Sequence, residues 1–279
     1  MFNTGIDIES LSLASCYLRM KPVGTDNVLA TGTGFIYKYE NFHYLITNGH
    51  NITRVNPETN TRISNSIAYP IKISTKLRTI SNIGDKIIIG TCPYEINLYN
   101  DLEFKIPIWY VHPIHEYLVD VIAIPLFSIP NEAKLYPINA FNFNDIDIFA
   151  NPSDDVFIIG YPLNITGGKE LPIWKKGTIA NEPSIDLDNL PKFLIDTATR
   201  EGMSGSPVIF QRNGIHRFNK EHFIGNEVIG TIRSFIGIYS GRIGAEDNFK
   251  AQLGIVWKKT VIDEILNSKK SGNLNFQNI

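Results

Sequence analysis

A succession of short apolar runs, each bounded by turn residues, constrains this chain more than any other feature. Gly34–Tyr37, His43–Thr47, Lys86–Ile89 and Val121–Ile124 supply the first four. Val156–Ile159, Phe193–Ile195, Pro207–Phe210, Glu227–Ile232 and Ser234–Tyr239 continue the pattern. The runs are short and rich in β-branched residues, and Gly, Pro, Asn and Asp separate them. That combination predicts an all-β barrel or sandwich. No strand–helix alternation of the α/β kind is present. One segment reads differently. Val261, Ile262, Ile265 and Leu266 fall on one face at helical spacing, which predicts a C-terminal helix packed on the second half. Ser268–Ile279 reads as a frayed tail, and Asn51–Thr61 and Asn181–Asp188 read as surface loops.

Composition narrows the function classes. The chain has 279 residues, 43% hydrophobic and 19% charged, which is ordinary for one large or two medium globular domains. A net charge of −2 gives no electrostatic footprint for nucleic acid. No run approaches the roughly 18 apolar residues of a membrane helix. Met1–Glu9 has neither a basic nor an apolar leader region. Cys16 and Cys92 are too few for a disulfide framework. The expectation is a cytoplasmic protein in a reducing compartment, with no membrane or nucleic-acid partner.

The chemistry concentrates in three segments. Gly202-Met203-Ser204-Gly205-Ser206-Pro207 sets a serine among small residues at the mouth of an apolar strand. A serine hydroxyl becomes a useful nucleophile only when a base takes its proton. Histidine does this near neutrality, its ordinary pKa being about 6.5. His50 follows the apolar strand Leu45-Ile46-Thr47 and the tight turn Asn48-Gly49, where a scaffold can aim it. His43, His112, His115, His216 and His222 are its rivals. His112-Pro113-Ile114-His115 invites a metal reading, but no third-ligand pattern accompanies it. An orienting carboxylate is the third need. Asp120 is flanked on both sides by apolar residues, whereas Asp101, Asp145, Asp147, Asp154 and Asp155 lie in polar loops. A carboxylate buried there needs a partner, which a histidine supplies. Glu116 is the fallback. The Gly-Xaa-Ser-Xaa-Gly elbow of the α/β-hydrolases is not met, because position 206 is serine.

In chain order the three are His, Asp, Ser. With Thr31-Gly32-Thr33-Gly34-Phe35-Ile36 ahead of the histidine, these segments resemble the chymotrypsin-like (trypsin-fold) serine peptidases. Ser206-Pro207, Gly160-Tyr161-Pro162, Trp174–Ile179 and Ile236–Gly241 are similar to the bacterial glutamyl-endopeptidase branch. The resemblance spans about residues 28–258. Gly49, Met203 and Ser206 depart mildly from the common pattern. The long gap from His50 to Asp120 implies an insertion between 53 and 110.

The resemblance implies two six-stranded antiparallel β-barrels with a C-terminal α-helix. The expected division is an N-terminal barrel over 1–130 carrying His50 and Asp120, a linker over 131–154, and a C-terminal barrel over 155–279 carrying Ser204. The oxyanion hole would be the amides of Gly202 and Ser204. Ala198, Thr199 and Arg200 with Tyr239, Ser240, Gly241 and Arg242 would line the substrate pocket, Ser240-Gly241 adding backbone hydrogen bonds to a bound peptide. Thr199 stands where the glutamyl endopeptidases carry a threonine that touches an acidic side chain, but Tyr239 stands where they have histidine. Ala198 stands where cleavage after a basic residue needs an acid. An acidic or small polar residue before the scissile bond is therefore expected. The leading expectation is a serine endopeptidase without metal or cofactor, acting on a peptide or protein substrate. The alternative is a latent or catalytically silent module of this fold that binds peptides or needs an activating protein partner.

Overall fold

The computed structural model describes residues 8–64, 68–83, 86–141, 143, 150–217, 227–242 and 252–278. The first half contains β1 (Ser15–Lys21), β2 (Ala30–Tyr39), β3 (Phe42–Thr47), β4 (Val55–Asn56), β5 (Thr61–Arg62), β6 (Lys72–Ile83), β7 (Lys86–Asn97) and β8 (Ile122–Pro125). The one-turn helix α1 (His50–Thr53) follows β3. The second half contains β9 (Asp155–Gly160), β10 (Ile173–Ile179), β11 (Lys192–Asp196), β12 (Pro207–Arg217), β13 (Glu227–Arg242) and β14 (Leu253–Lys258), then α2 (Thr260–Ser268).

Alternation makes the strands. Along β1, Cys16, Leu18 and Met20 are buried while Tyr17, Arg19 and Lys21 turn outward, the period-2 pattern of a half-buried strand. The second half closes fully, in the order β10-β11-β14-β13-β12-β9. The first half corrects the expectation of two closed barrels. It is a six-stranded antiparallel sheet in the order β7-β6-β1-β2-β3-β8, with β7 and β8 left as edges among the described residues. The segment 98–121 connects them, folded on itself by the isolated bridge Tyr99↔Pro107 and tied to β8 by Tyr110↔Ala123. Pro107 has no N–H to extend a ladder, and β8 offers only four residues to pair with. The long span between His50 and Asp120 holds the β4–β5 hairpin, so Asn51–Thr61 is not simply loop, and a β6–β7 hairpin of 12 residues per strand.

Two further expectations are corrected. Helix α2 buries Val261, Ile262, Ile265 and Leu266 as its pattern requires. However, it lies against β2 and β8 of the first half as well as the barrel, with Tyr37 Oη donating to Asp263 at 2.9 Å. The tail is docked rather than frayed. Val111 N donates to Lys270 O and Gly272 N to Trp109 O, both at 2.9 Å, and Phe276 is buried against Tyr69 and Tyr117. A lone aromatic in a polar tail carries no periodic signal, yet it anchors the segment. Cys16 and Cys92 are buried free thiols, and burial pushes Cys16 up to about 11. Among the described residues no helix is long and apolar enough to cross a membrane.

The halves share one apolar layer. Phe35, Tyr37 and Ile46 of the sheet meet Ile159, Ile209, Phe235, Ile238 and Trp257 of the barrel, with α2 closing the end. Phe35 is fully buried and packs edge-on against Phe235, ring centres 5.3 Å apart. Phe35→Ala should lower unfolding free energy by about 3–5 kcal/mol in urea titration. A cost under about 1 kcal/mol would mean that the seam does not pack as described.

Candidate active site

His50 opens α1 directly after β3 and the Asn48-Gly49 turn. Asp120 lies just before β8, the strand paired with β3, where Ile122 stands opposite Thr47. Its exposure is 1%, between fully buried Val119 and Val121. The carboxylate is compensated by three donors. His50 N reaches Oδ1 at 2.8 Å, and His50 Nδ1 and Ser240 Oγ reach Oδ2 at 2.6 and 2.5 Å. Asn48 Nδ2 holds the Asp120 carbonyl at 2.6 Å. An ionised carboxylate only accepts hydrogen bonds, so Nδ1 carries the proton and Nε2 is the acceptor of the neutral ring. Ser240 reaches Asp120 because the β13–β14 register shifts between Tyr239 and Gly241, a bulge that turns its side chain out of the ladder.

Ser204 lies in the loop between β11 and β12. Gly205 N donates to Tyr239 O and Tyr239 N to Ser206 O, both at 2.9 Å, fastening the loop to β13. From the other half, Thr33 N donates to Ser204 O at 2.9 Å and Thr33 Oγ1 to Gly202 O at 2.8 Å. Asn51 Nδ2 adds a bond to Ser204 O at 3.3 Å. Two glycines are obligatory. Gly202 has φ +88° and a Cβ there would lie 2.3 Å from Tyr161 O; Gly205 has φ +87° and a Cβ there would lie 2.0 Å from Thr33 O. Among the described residues the amides of Gly202 and Ser204 donate to nothing, while their neighbours Met203, Gly205 and Ser206 all do. Ser204 Oγ donates to Ser240 O at 3.4 Å and is not hydrogen-bonded to His50.

These groups open onto a cleft of about 500 Å³ whose wall includes His50, Gly202, Ser204, Tyr239, Ser240 and Gly241. Ala198 and Thr199 are not on that wall. Thr199 is buried behind it, its hydroxyl in a very short hydrogen bond with that of Tyr239. Arg200 is exposed at the rim, and the Arg242 side chain lies outside the described residues. The rivals are occupied elsewhere. His112 Nε2 meets Glu264 at 2.6 Å and its ring stacks on His115. His43 lies in β3, held below the ordinary histidine range by burial and by Lys38. Asp101 caps the Lys105 and Ile106 amides, Asp154 binds Arg212, Asp155 pairs with Lys176 and Glu116 with Lys270. Asp145, Asp147, His222 and the His216 side chain lie outside the described residues. Sequence reasoning missed Asn48, Asn51 and Thr33. A single polar residue beside a turn carries no signal of its long-range partner.

A family model described as a trypsin-like peptidase domain matches residues 32–214, more than half of the chain. The chain belongs to this family. Two solved structures are distant likenesses of this trypsin-like peptidase domain. One is an inactive form of the Rv3671c protease, 15% identical, covering 93% of this chain and 90% of that one at a TM-score of 0.43. The other is a serine-to-alanine mutant of Rv3671c from M. tuberculosis H37Rv, also in an inactive form, 15% identical, covering 93% and 88% at a TM-score of 0.45. No curated protein matches the chain. The matched span includes His50, Asp120 and Ser204, so the peptidase domain holds all three within its own limits. Gly205→Ala should destabilise the domain by about 2 kcal/mol or more, read from the urea midpoint, because strain and backbone overlap act together. Wild-type stability in that variant would mean the loop is not held against Thr33.

Proposed function

We propose that this chain is a serine endopeptidase using a His50–Asp120–Ser204 triad, and the observation that carries the reading is the His50–Asp120 pair at the edge of the cleft. Asp120 holds Nδ1–H and leaves Nε2 as the base, in a cleft that Ser204 also lines. A bound peptide carbonyl would be attacked by Ser204 Oγ while Nε2 takes the hydroxyl proton. The carbonyl oxygen then becomes an oxyanion, for which the unpaired amides of Gly202 and Ser204 are the available donors. The C–N bond breaks as His50 returns the proton to the leaving amine, giving an ester on Ser204. Water, deprotonated by the same nitrogen, cleaves that ester and restores the serine. Ser240 carries two roles in this reading: its hydroxyl holds Asp120, and its backbone with Gly241 lies along the peptide.

Position 198 carries no acid, and the Tyr239 side chain on the cleft wall is hydrogen-bonded to the buried Thr199 hydroxyl, which supports acidic or small polar residues before the scissile bond and a place near the glutamyl-endopeptidase branch. Cleavage of a peptide series varied at that residue tests this; a preference for Lys or Arg would overturn it. A fluorophosphonate probe should label the wild type and not Ser204→Ala. In a peptide assay, Asp120→Asn should lower kcat by about 10,000-fold, since the histidine loses its correct tautomer. Labelling that survives Ser204→Ala would place the nucleophile elsewhere.

One observation favours the second reading, a latent peptidase awaiting a protein partner. Ser204 Oγ points to Ser240 O and not to His50. In a folded wild type this reading expects no labelling until a partner or substrate turns the serine. Catalytic hydrogen bonds often tighten only when substrate binds, so the first reading requires the serine to turn toward His50 on substrate binding alone.

A further inference from the structure

A second cavity, of about 370 Å³, lies apart from the cleft on the outer side of the first sheet. Its walls are Tyr17 and Arg19 of β1, Lys76 and Arg78 of β6, and Tyr161 and Glu170 from the segment between β9 and β10. The charges do not balance. Among the described residues Glu170 is the sole carboxylate on the wall, and it is already held by Lys76 at 2.5 Å and Thr91 at 3.3 Å. The Lys76 contact holds its carboxyl below the usual range. Arg78 is only 6% exposed. Its bonds go to the carbonyls of Lys169 and Glu170, at 3.3 and 2.9 Å, and to the Tyr161 hydroxyl at 3.5 Å. Those acceptors are neutral, and burial keeps the Tyr161 phenol protonated. No carboxylate lies within ion-pair distance of Arg78 or Arg19 among the described residues. Arg19 is exposed, its guanidinium 5.3 Å from the Tyr17 ring centre.

A buried cation with no carboxylate in direct contact is costly, Glu170 acting on Arg78 only through space, and a guanidinium fork matches a planar or tetrahedral oxyanion. The cavity volume falls within the size range of small-molecule sites. We propose that this recess binds a small organic anion through a carboxylate or phosphate group, held by Arg78 at the base and by Arg19 and Lys76 at the rim. Tyr17 adds a hydroxyl to this wall, while the Thr75 and Thr91 hydroxyls already donate to the Tyr17 carbonyl and to Glu170.

The test is isothermal titration of the whole protein with citrate and, separately, inorganic phosphate, at fixed ionic strength. Saturable one-site binding of at least one of them is expected, weakened about tenfold or more in Arg19→Gln and Lys76→Gln. The two arms decide between carboxylate and phosphate chemistry. Both substitutions are at exposed positions, so unchanged unfolding midpoints will show that the fold is retained. Lys105→Gln, on a distant exposed loop, should bind as the wild type does. Ser204→Ala should also bind normally, so a failure of the peptidase reading leaves this result intact. No saturable heat from either anion, or equal affinity in Arg19→Gln and wild type, would overturn the proposal.

Discussion

The buried carboxylate of Asp120 is the interaction on which the site depends. It draws donors from both halves of the molecule: the backbone and ring of His50 from the sheet, and the hydroxyl of Ser240 from the barrel. Charge-assisted bonds of this kind are stronger than neutral ones, and leaving such a charge unpaired costs about 3–5 kcal/mol. The constraint therefore runs in two directions. Asp120 fixes the tautomer and aim of the imidazole, and the need to satisfy it fixes how the β13 bulge meets the sheet. A change that lifted the barrel from the sheet would expose this charge and break the apolar seam together.

Across the seam a second set of bonds does the same for the serine loop. Thr33 of β2 holds both Gly202 O and Ser204 O, and Thr47 Oγ1 in turn holds Thr33 O at 2.7 Å. Leu163 N holds Glu201 O at 2.7 Å from the segment that also walls the second cavity. With the carbonyls of 201, 202 and 204 all taken by donors, the peptide planes are fixed. The amides of Gly202 and Ser204 are left without an acceptor among the described residues. The polar layer rests on Phe35, Phe235, Ile238 and Trp257, which give it a rigid floor.

What could be read from the sequence divides along the range of the interaction. The β-rich class, helix α2 and the paired His50 and Asp120 follow from local pattern: β-branching, helical spacing, and a carboxylate with apolar neighbours. Long-range consequences did not. The six strands of the first half do not close among the described residues, and segment 98–121 meets β8 only through the isolated bridge Tyr110↔Ala123. Ser240 was expected to offer its backbone to a peptide, but the bulge that sends its hydroxyl to Asp120 has no local signature. The Thr199–Tyr239 bond likewise joins positions 40 residues apart, and it removes Thr199 from the cleft wall.

The docked tail adds a structural dependence that no motif announced. The stretch leading to Asp120 lacks regular strand structure, and it borrows order from residues 269–278. Tyr117 Oη donates to Asn273 O at 2.7 Å and accepts from Trp109 Nε1 at 3.0 Å. Gly272 lies so close to Trp109 that a Cβ would fall 2.3 Å from the indole nitrogen. His112 binds Glu264 of α2, and Lys270 binds both Glu116 and the Pro113 carbonyl. The carboxylate thus belongs to the first half by chain order, while its supporting segment is pinned by residues that follow the barrel. Chain connectivity alone joins the halves once; α2 and the tail join them again beside Asp120, where a loose segment would misplace the imidazole.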